Sequence, residues 1–88
     1  MDVRCSDIVL STAGHDKGGL FFVLNVEGEY LLLADGHNRP LEKPKRKKRT
    51  HVLPVTRPDT DVAKALRDGG VVRNSELRRE LAILRQSM

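Results

Sequence analysis

The chain has 88 residues, a net charge of +4, 39% hydrophobic residues and 32% charged ones. That leaves room for one small domain with a thin core, argues against a large pocketed enzyme, and is too apolar for a disordered chain. The longest apolar stretch, Leu20 to Leu24, is too short to span a bilayer, Met1-Asp2-Val3-Arg4 does not open like a signal peptide, and the lone Cys5 permits no internal disulfide, so a cytoplasmic chain is expected.

Asp7 to Ser11 is a short β-type run, followed by Thr12 to Gly19, a loop with three glycines. Leu20 to Val26 reads as a second strand that stops at the turn Glu27-Gly28-Glu29. Tyr30 to Ala34 reads as a third, closed by Asp35-Gly36-His37-Asn38. Two of these runs are apolar on both faces, which predicts a rolled, barrel-like antiparallel sheet. Arg39 to Lys48 reads as an exposed strand, with Pro40 and Pro44 confining it to an edge or a bulge. Val52 to Thr56 is expected to close the barrel.

The pattern changes at Pro58. Asp59-Thr60-Asp61 offers capping oxygens to a helix carrying Val62, Ala63, Ala65 and Leu66, which Gly69-Gly70 ends. Asn74-Ser75 is expected to cap a second helix, with Glu76 near its positive end. Leu77, Leu81 and Leu84 make a narrow apolar stripe with Ile83 beside it, while Arg78, Arg79 and Arg85 lie mostly off it. The expected organisation is mainly β: a five-stranded barrel over residues 1–57, then one or two short helices over 58–88 that pack on the barrel or on a partner.

Charge is distributed unevenly. Residues 1–38 carry two basic and six acidic side chains, residues 39–57 eight and one, and residues 58–88 six and five. The excess sits in Lys43-Pro44-Lys45-Arg46-Lys47-Lys48-Arg49-Thr50-His51, where no acid interrupts six fixed cations. Such a block marks a solvated face or a polyanion site. In an extended ribbon Lys45, Lys47 and Arg49 share one face, and Arg46 and Lys48 the other. Edge lysines also discourage aggregation. No amphipathic basic helix or lipidation signal supports a membrane surface. Phe21, Phe22 and Tyr30 are the only aromatics, so phosphate, sugar and RNA shape are favoured over base stacking. His15, His37, His51 and Cys5 have no metal spacing, the glycines around Lys17 do not spell a P-loop, and no nucleophile–base pair stands out. No cofactor, metal or enzymatic activity is expected.

From Asp7 to about Gly36 the chain resembles a KOW motif, with the opening Asp7, then Gly14 and Lys17-Gly18 in order. Through the basic run to His51-Val52-Leu53 it is similar to large-subunit ribosomal protein fourteen of archaea and eukaryotes, and most of all to small bacterial KOW-type RNA-binding proteins related to it. The likeness covers about residues 5–57 and, more weakly, Asn74 to Arg79. It departs at Ser6, where relatives often have glycine, and at Gly19, where many have a lysine or arginine. KOW domains are SH3-like five-stranded barrels of ribosomal proteins and transcription elongation factors. A monomer is expected, and the resemblance implies a chain that binds structured RNA, ribosomal RNA or a ribosome-associated site first among candidates. The residues expected to contact RNA are Gly14, His15, Lys17, Gly18, Arg39, Lys43, Lys45, Arg46, Lys47, Lys48, Arg49 and His51. A rival expectation is a protein-interaction module that docks ribosomal or transcription proteins through the leucine stripe. Duplex DNA is a third.

Overall fold

The computed structural model describes residues 2–88. Its strands are β1 (Ile8–Ser11), β2 (Leu20–Glu27), β3 (Tyr30–Ala34), β4 (Lys45–Lys48) and β5 (Val52–Thr56). Helices α1 (Asp61–Asp68) and α2 (Asn74–Gln86) follow. All neighbouring strands are antiparallel, in the order β4-β3-β2-β1-β5. Gly28 and Glu29 alone separate the paired residues Glu27 and Tyr30, and Gly28 takes φ +63°, as a two-residue hairpin demands.

The two outermost strands are consecutive in sequence. Only Arg49–His51, one short 3-10 turn, links β4 to β5. A flat five-stranded sheet would hold its edges about 19 Å apart, at about 4.8 Å per strand. Four Cα–Cα steps reach about 15 Å at full extension, and less through a 3-10 turn. The sheet must therefore curl, and Val52 of β5 joins Leu31 and Leu33 of β3 in one buried cluster inside it. Among the described residues no ladder joins β4 to β5, so the mainly β sheet is curled but not closed, and β5, expected to close a barrel, pairs with β1 alone. Strands apolar on both faces have a second explanation here. Val9, Phe21, Val23, Leu31 and Leu33 fill the concave side, whereas Ile8, Leu20, Phe22 and Ala34 pack against Val62, Leu77 and Leu81 of the helices.

The leucine stripe of α2 is thus occupied within the chain. Leu77 is fully buried, Leu81 nearly so, and Leu84 packs against the same cluster. Burying a leucine contributes about 2 kcal/mol, so residues 58–88 are a substantial part of one core. α1 begins as anticipated, with Thr60 Oγ1 accepting from the Ala63 N–H at 3.2 Å. The same hydroxyl donates to Glu80 Oε1 of α2 at 2.8 Å. Thr60→Ala is expected to lower stability by about 1–2 kcal/mol, since a cap and an interhelix hydrogen bond go together; an unchanged urea midpoint would contradict this. α2 begins differently from expectation. Asn74 sends its side chain to the segment before β4, accepting from the Leu41 N–H at 2.8 Å, and Glu76 instead returns to the Arg73 N–H at 2.9 Å.

Arg39 to Lys48 is not one strand. Only Lys45–Lys48 pairs with β3. Asp35 Oδ1 accepts from the N–H groups of His37 and Arg39, and the Lys43 N–H closes a turn on the Pro40 carbonyl. Two prolines without donors and an aspartate that captures nearby amides favour turns over a ladder. Ser6, where KOW relatives often have glycine, is buried with φ +73°. Its N–H reaches the Val23 carbonyl at 2.7 Å and its Oγ accepts from Arg67 Nη1 at 2.9 Å, two contacts that offset the cost of a left-handed residue. Asp7 beside it is buried and takes the Arg57 guanidinium on both oxygens, at 2.9 and 3.1 Å. The Asp7 carboxylate raises the Arg57 pKa above its ordinary value. Burial pushes the nearby Cys5 thiol up, and its Sγ donates to the Leu24 carbonyl at 3.2 Å. No helix among the described residues is long and apolar enough to cross a membrane.

Candidate nucleic-acid interface

Antiparallel pairing fixes where the basic side chains go, because residues directly opposite share a face. Lys45 lies opposite Leu33 and Lys47 opposite Leu31, both on the concave side. Arg46 lies opposite Leu32 and Lys48 opposite Tyr30, on the outer side. Alternation in the basic run therefore has an inside and an outside. Lys47 is only 8% exposed. Its stem runs beside Leu31, and its ammonium donates to Ser11 Oγ at 3.0 Å and to the Ala13 carbonyl at 2.7 Å. It thereby ties β4 to the end of β1 and the glycine loop, where the Thr12 N–H on the His51 carbonyl at 2.9 Å extends the β1–β5 ladder. Lys47, a phosphate-ligand candidate by sequence, is here a buried tie between β4 and the glycine loop.

Arg39 is also committed internally. Its guanidinium meets both Asp16 oxygens, at 3.3 and 3.2 Å. The loop at residues 12–19 is accordingly held from three directions: Lys47 of β4 on the Ala13 carbonyl, Arg39 on the Asp16 carboxylate, and Arg85 of α2 on the Gly18 carbonyl at 2.8 Å. All three attachments use acceptors. Among the described residues, the N–H groups of Ala13, Gly14, His15 and Asp16 have no hydrogen-bond partner. Gly14 at φ +75° and Gly18 at φ +88° supply the left-handed turns. His15 and Lys17 stand exposed at the tip.

The remaining cations differ in how free they are. Arg46 lies 4.0 Å from the Tyr30 ring centroid and 3.8 Å from Glu27 Oε1, an exposed and weak pairing. Lys17, Lys43, Lys45, Lys48 and Arg49 have no ion pair or side-chain hydrogen bond among the described residues. A groove of about 340 Å³ runs between the loop and β4, lined by Ala13, Gly14, Tyr30, Lys45, Arg46 and Lys48 among others. His51 borders it from the 3-10 turn, where Arg49 also sits. Lys43 lies outside it, exposed in the turn before β4. Phe21 and Phe22 are buried, and Tyr30 is covered by Arg46, so no open aromatic platform for bases is present among the described residues. No group of three His, Cys, Asp or Glu side chains there is placed to hold a metal ion.

Three contributors were not singled out by sequence reasoning: Ser11 and the Ala13 carbonyl as the anchor for Lys47, and Arg85 as the hold on Gly18. Strand alternation could have marked Lys47 as inward, but a run basic at every position hides its own periodicity. Nothing local links Arg85 to a loop 67 residues earlier. No family model and no curated protein matches the chain.

Proposed function

We propose that this chain binds structured RNA along the groove between β4 and the glycine loop, and that ribosomal RNA or a ribosome-associated site is its target. The curled sheet is read as an SH3-like barrel of the KOW type, left open at one seam. A single observation carries the reading. Lys45, Lys48 and Arg49 fall within five positions and none has an ion pair among the described residues, Glu29 lying beside Lys48 and Arg49 without pairing with either, and the loop across the groove carries the N–H groups of Ala13, Gly14, His15 and Asp16, which have no hydrogen-bond partner there. Like charges held this close raise the local potential, and a polyanion relieves it while releasing its own counterions. Arginine forks and loop amides suit phosphate oxygens. RNA is favoured over duplex DNA by the KOW resemblance. The rival protein-docking reading loses its main feature, because the α2 stripe lies in the core.

The test is a binding titration with a fluorescent hairpin RNA at several salt concentrations. About four phosphates neutralised in the β4 groove should by themselves lower affinity about a hundredfold between 50 and 200 mM salt. A variant with Lys45→Ser, Arg46→Ser, Lys48→Ser and Arg49→Ser, keeping Lys47, should bind about a hundredfold more weakly with an unchanged circular-dichroism melt. Equal binding by this variant and the parent would end the proposal, as would a parent that ignores RNA at low salt.

A further inference from the structure

The glycine loop has two sides. Ala13 and Gly14 border the β4 groove, whereas Gly19 borders a second groove of about 320 Å³ on the side of α2, with Leu20, Asp35, His37, Arg78 and Arg85 in its lining. The arginines that the fold orients by hydrogen bonds differ in the charge of their acceptors. Arg39 and Arg57 each meet a carboxylate, of Asp16 and Asp7, through two hydrogen bonds, and their charge is largely cancelled, whereas Arg67 has only a looser contact with exposed Asp59 at 3.5 Å. Arg78 and Arg85 are oriented by neutral acceptors alone: Arg78 Nη1 donates to the Gly36 carbonyl at 2.6 Å, and Arg85 Nη2 to the Gly18 carbonyl at 2.8 Å. Neither forms an ion pair among the described residues. A carbonyl takes one of a guanidinium's five N–H donors and leaves its charge intact. The entropy of aiming these two cations is therefore already spent in folding, while their capacity to pair with an anion is not. One carboxylate faces the same groove, that of Asp35, and its Oδ1 is occupied by the amides of His37 and Arg39.

We infer that Arg78 and Arg85 form a second wall of the RNA interface, so that a phosphate strand leaving the β4 groove crosses the glycine loop and continues onto α2. The inference rests on the RNA-binding reading above and extends it to a helix that the resemblance reaches only weakly, over Asn74 to Arg79. Charge complementarity and the shared loop make the occupant the same RNA rather than a separate partner. α2 then has two roles on two faces: Leu77 and Leu81 fasten it to the sheet, and its arginines face the ligand.

The experiment uses the full chain and a hairpin RNA of about twenty base pairs, with Kd measured from 50 to 200 mM salt. Removing two phosphate contacts should make the log Kd against log salt plot shallower by about 1.8, so that the affinity ratio of parent to Arg78→Gln/Arg85→Gln changes about tenfold across that range. Arg78→Lys/Arg85→Lys should restore most of the slope. A folded glutamine variant with the parental slope overturns the inference while leaving RNA binding standing; a parent that does not bind overturns both. Should the glutamine variant unfold, the unmodified protein decides. Saturating RNA should protect Arg78 and Arg85 at least threefold from an arginine-selective dicarbonyl reagent, read by mass spectrometry, with exposed Arg4 as the unprotected control. Equal modification of all three with and without RNA would refute it.

Discussion

Lys47→Ala is expected to destabilise the protein by about 3 kcal/mol or more, although Lys47 is one cation in a run of five. Two losses combine. The stem beside Leu31 leaves a gap, and truncation of a buried side chain of this length costs about 2–5 kcal/mol. The buried Ser11 hydroxyl and the Ala13 carbonyl also lose the donor they share, at about 1–3 kcal/mol if left unpaired. A small domain has about 5–15 kcal/mol in total, so the variant should melt far earlier and could fail to accumulate. Lys47→Met separates the two losses: it keeps the stem and should cost only about 1–3 kcal/mol. Exposed Lys48→Ala should stay within about 0.5 kcal/mol of the parent. Urea unfolding followed by circular dichroism measures all three, and a Lys47→Ala midpoint equal to that of Lys48→Ala would remove the buried tie from the account. The comparison matters for function too. A block replacement of the basic run that includes Lys47 would abolish RNA binding through unfolding, and so would say nothing about phosphate contacts.

Gly36→Ala should be at least as severe. Gly36 has φ +77°, which costs an L-residue about 1–2 kcal/mol. Its missing Cβ would also collide with the Asn74 carbonyl and come within 3.1 Å of Leu77 Cβ. Neither neighbour is a flexible side-chain end. One is backbone in the first turn of α2, the other the root of a fully buried leucine. The helix would have to move away, pulling Leu77 and Leu81 from Phe22 and breaking the Arg78 hydrogen bond to the Gly36 carbonyl. We expect a loss of more than 3 kcal/mol, in the range of overpacked cores with added backbone strain. Gly28→Ala is the control. Its φ is +63°, but a Cβ there meets nothing within 4 Å, so it should lose only the conformational cost of about 1–2 kcal/mol. Similar melts for the two variants would show that α2 is not held as closely as described.

The strands, the two helices and the hairpin at Gly28 were legible because their signals are local. Alternating or continuous apolar runs, glycine punctuation and the Thr60 cap act over a few residues, and each falls close to its expected place. The extent of β4 was misjudged because basic residues continue through positions where prolines and Asp35 impose turns. Closure of the sheet was not legible for a different reason. A strand apolar on both faces looks the same whether a second sheet layer or a pair of helices covers it, and here the helices do.

For the site, the amino-acid order alone established that the positive charge is concentrated, that a glycine loop precedes β2, and that the two belong to one small domain. It could not say which cations remain free. That depends on acceptors brought from 23 positions away for Arg39, 36 for Lys47 and 67 for Arg85. A carboxylate cancels one guanidinium, a carbonyl merely aims another, and a seam in the sheet swallows a lysine flanked by exposed ones. Formal charge belongs to the residue, but the field it presents to a ligand is set by whatever the fold places against it.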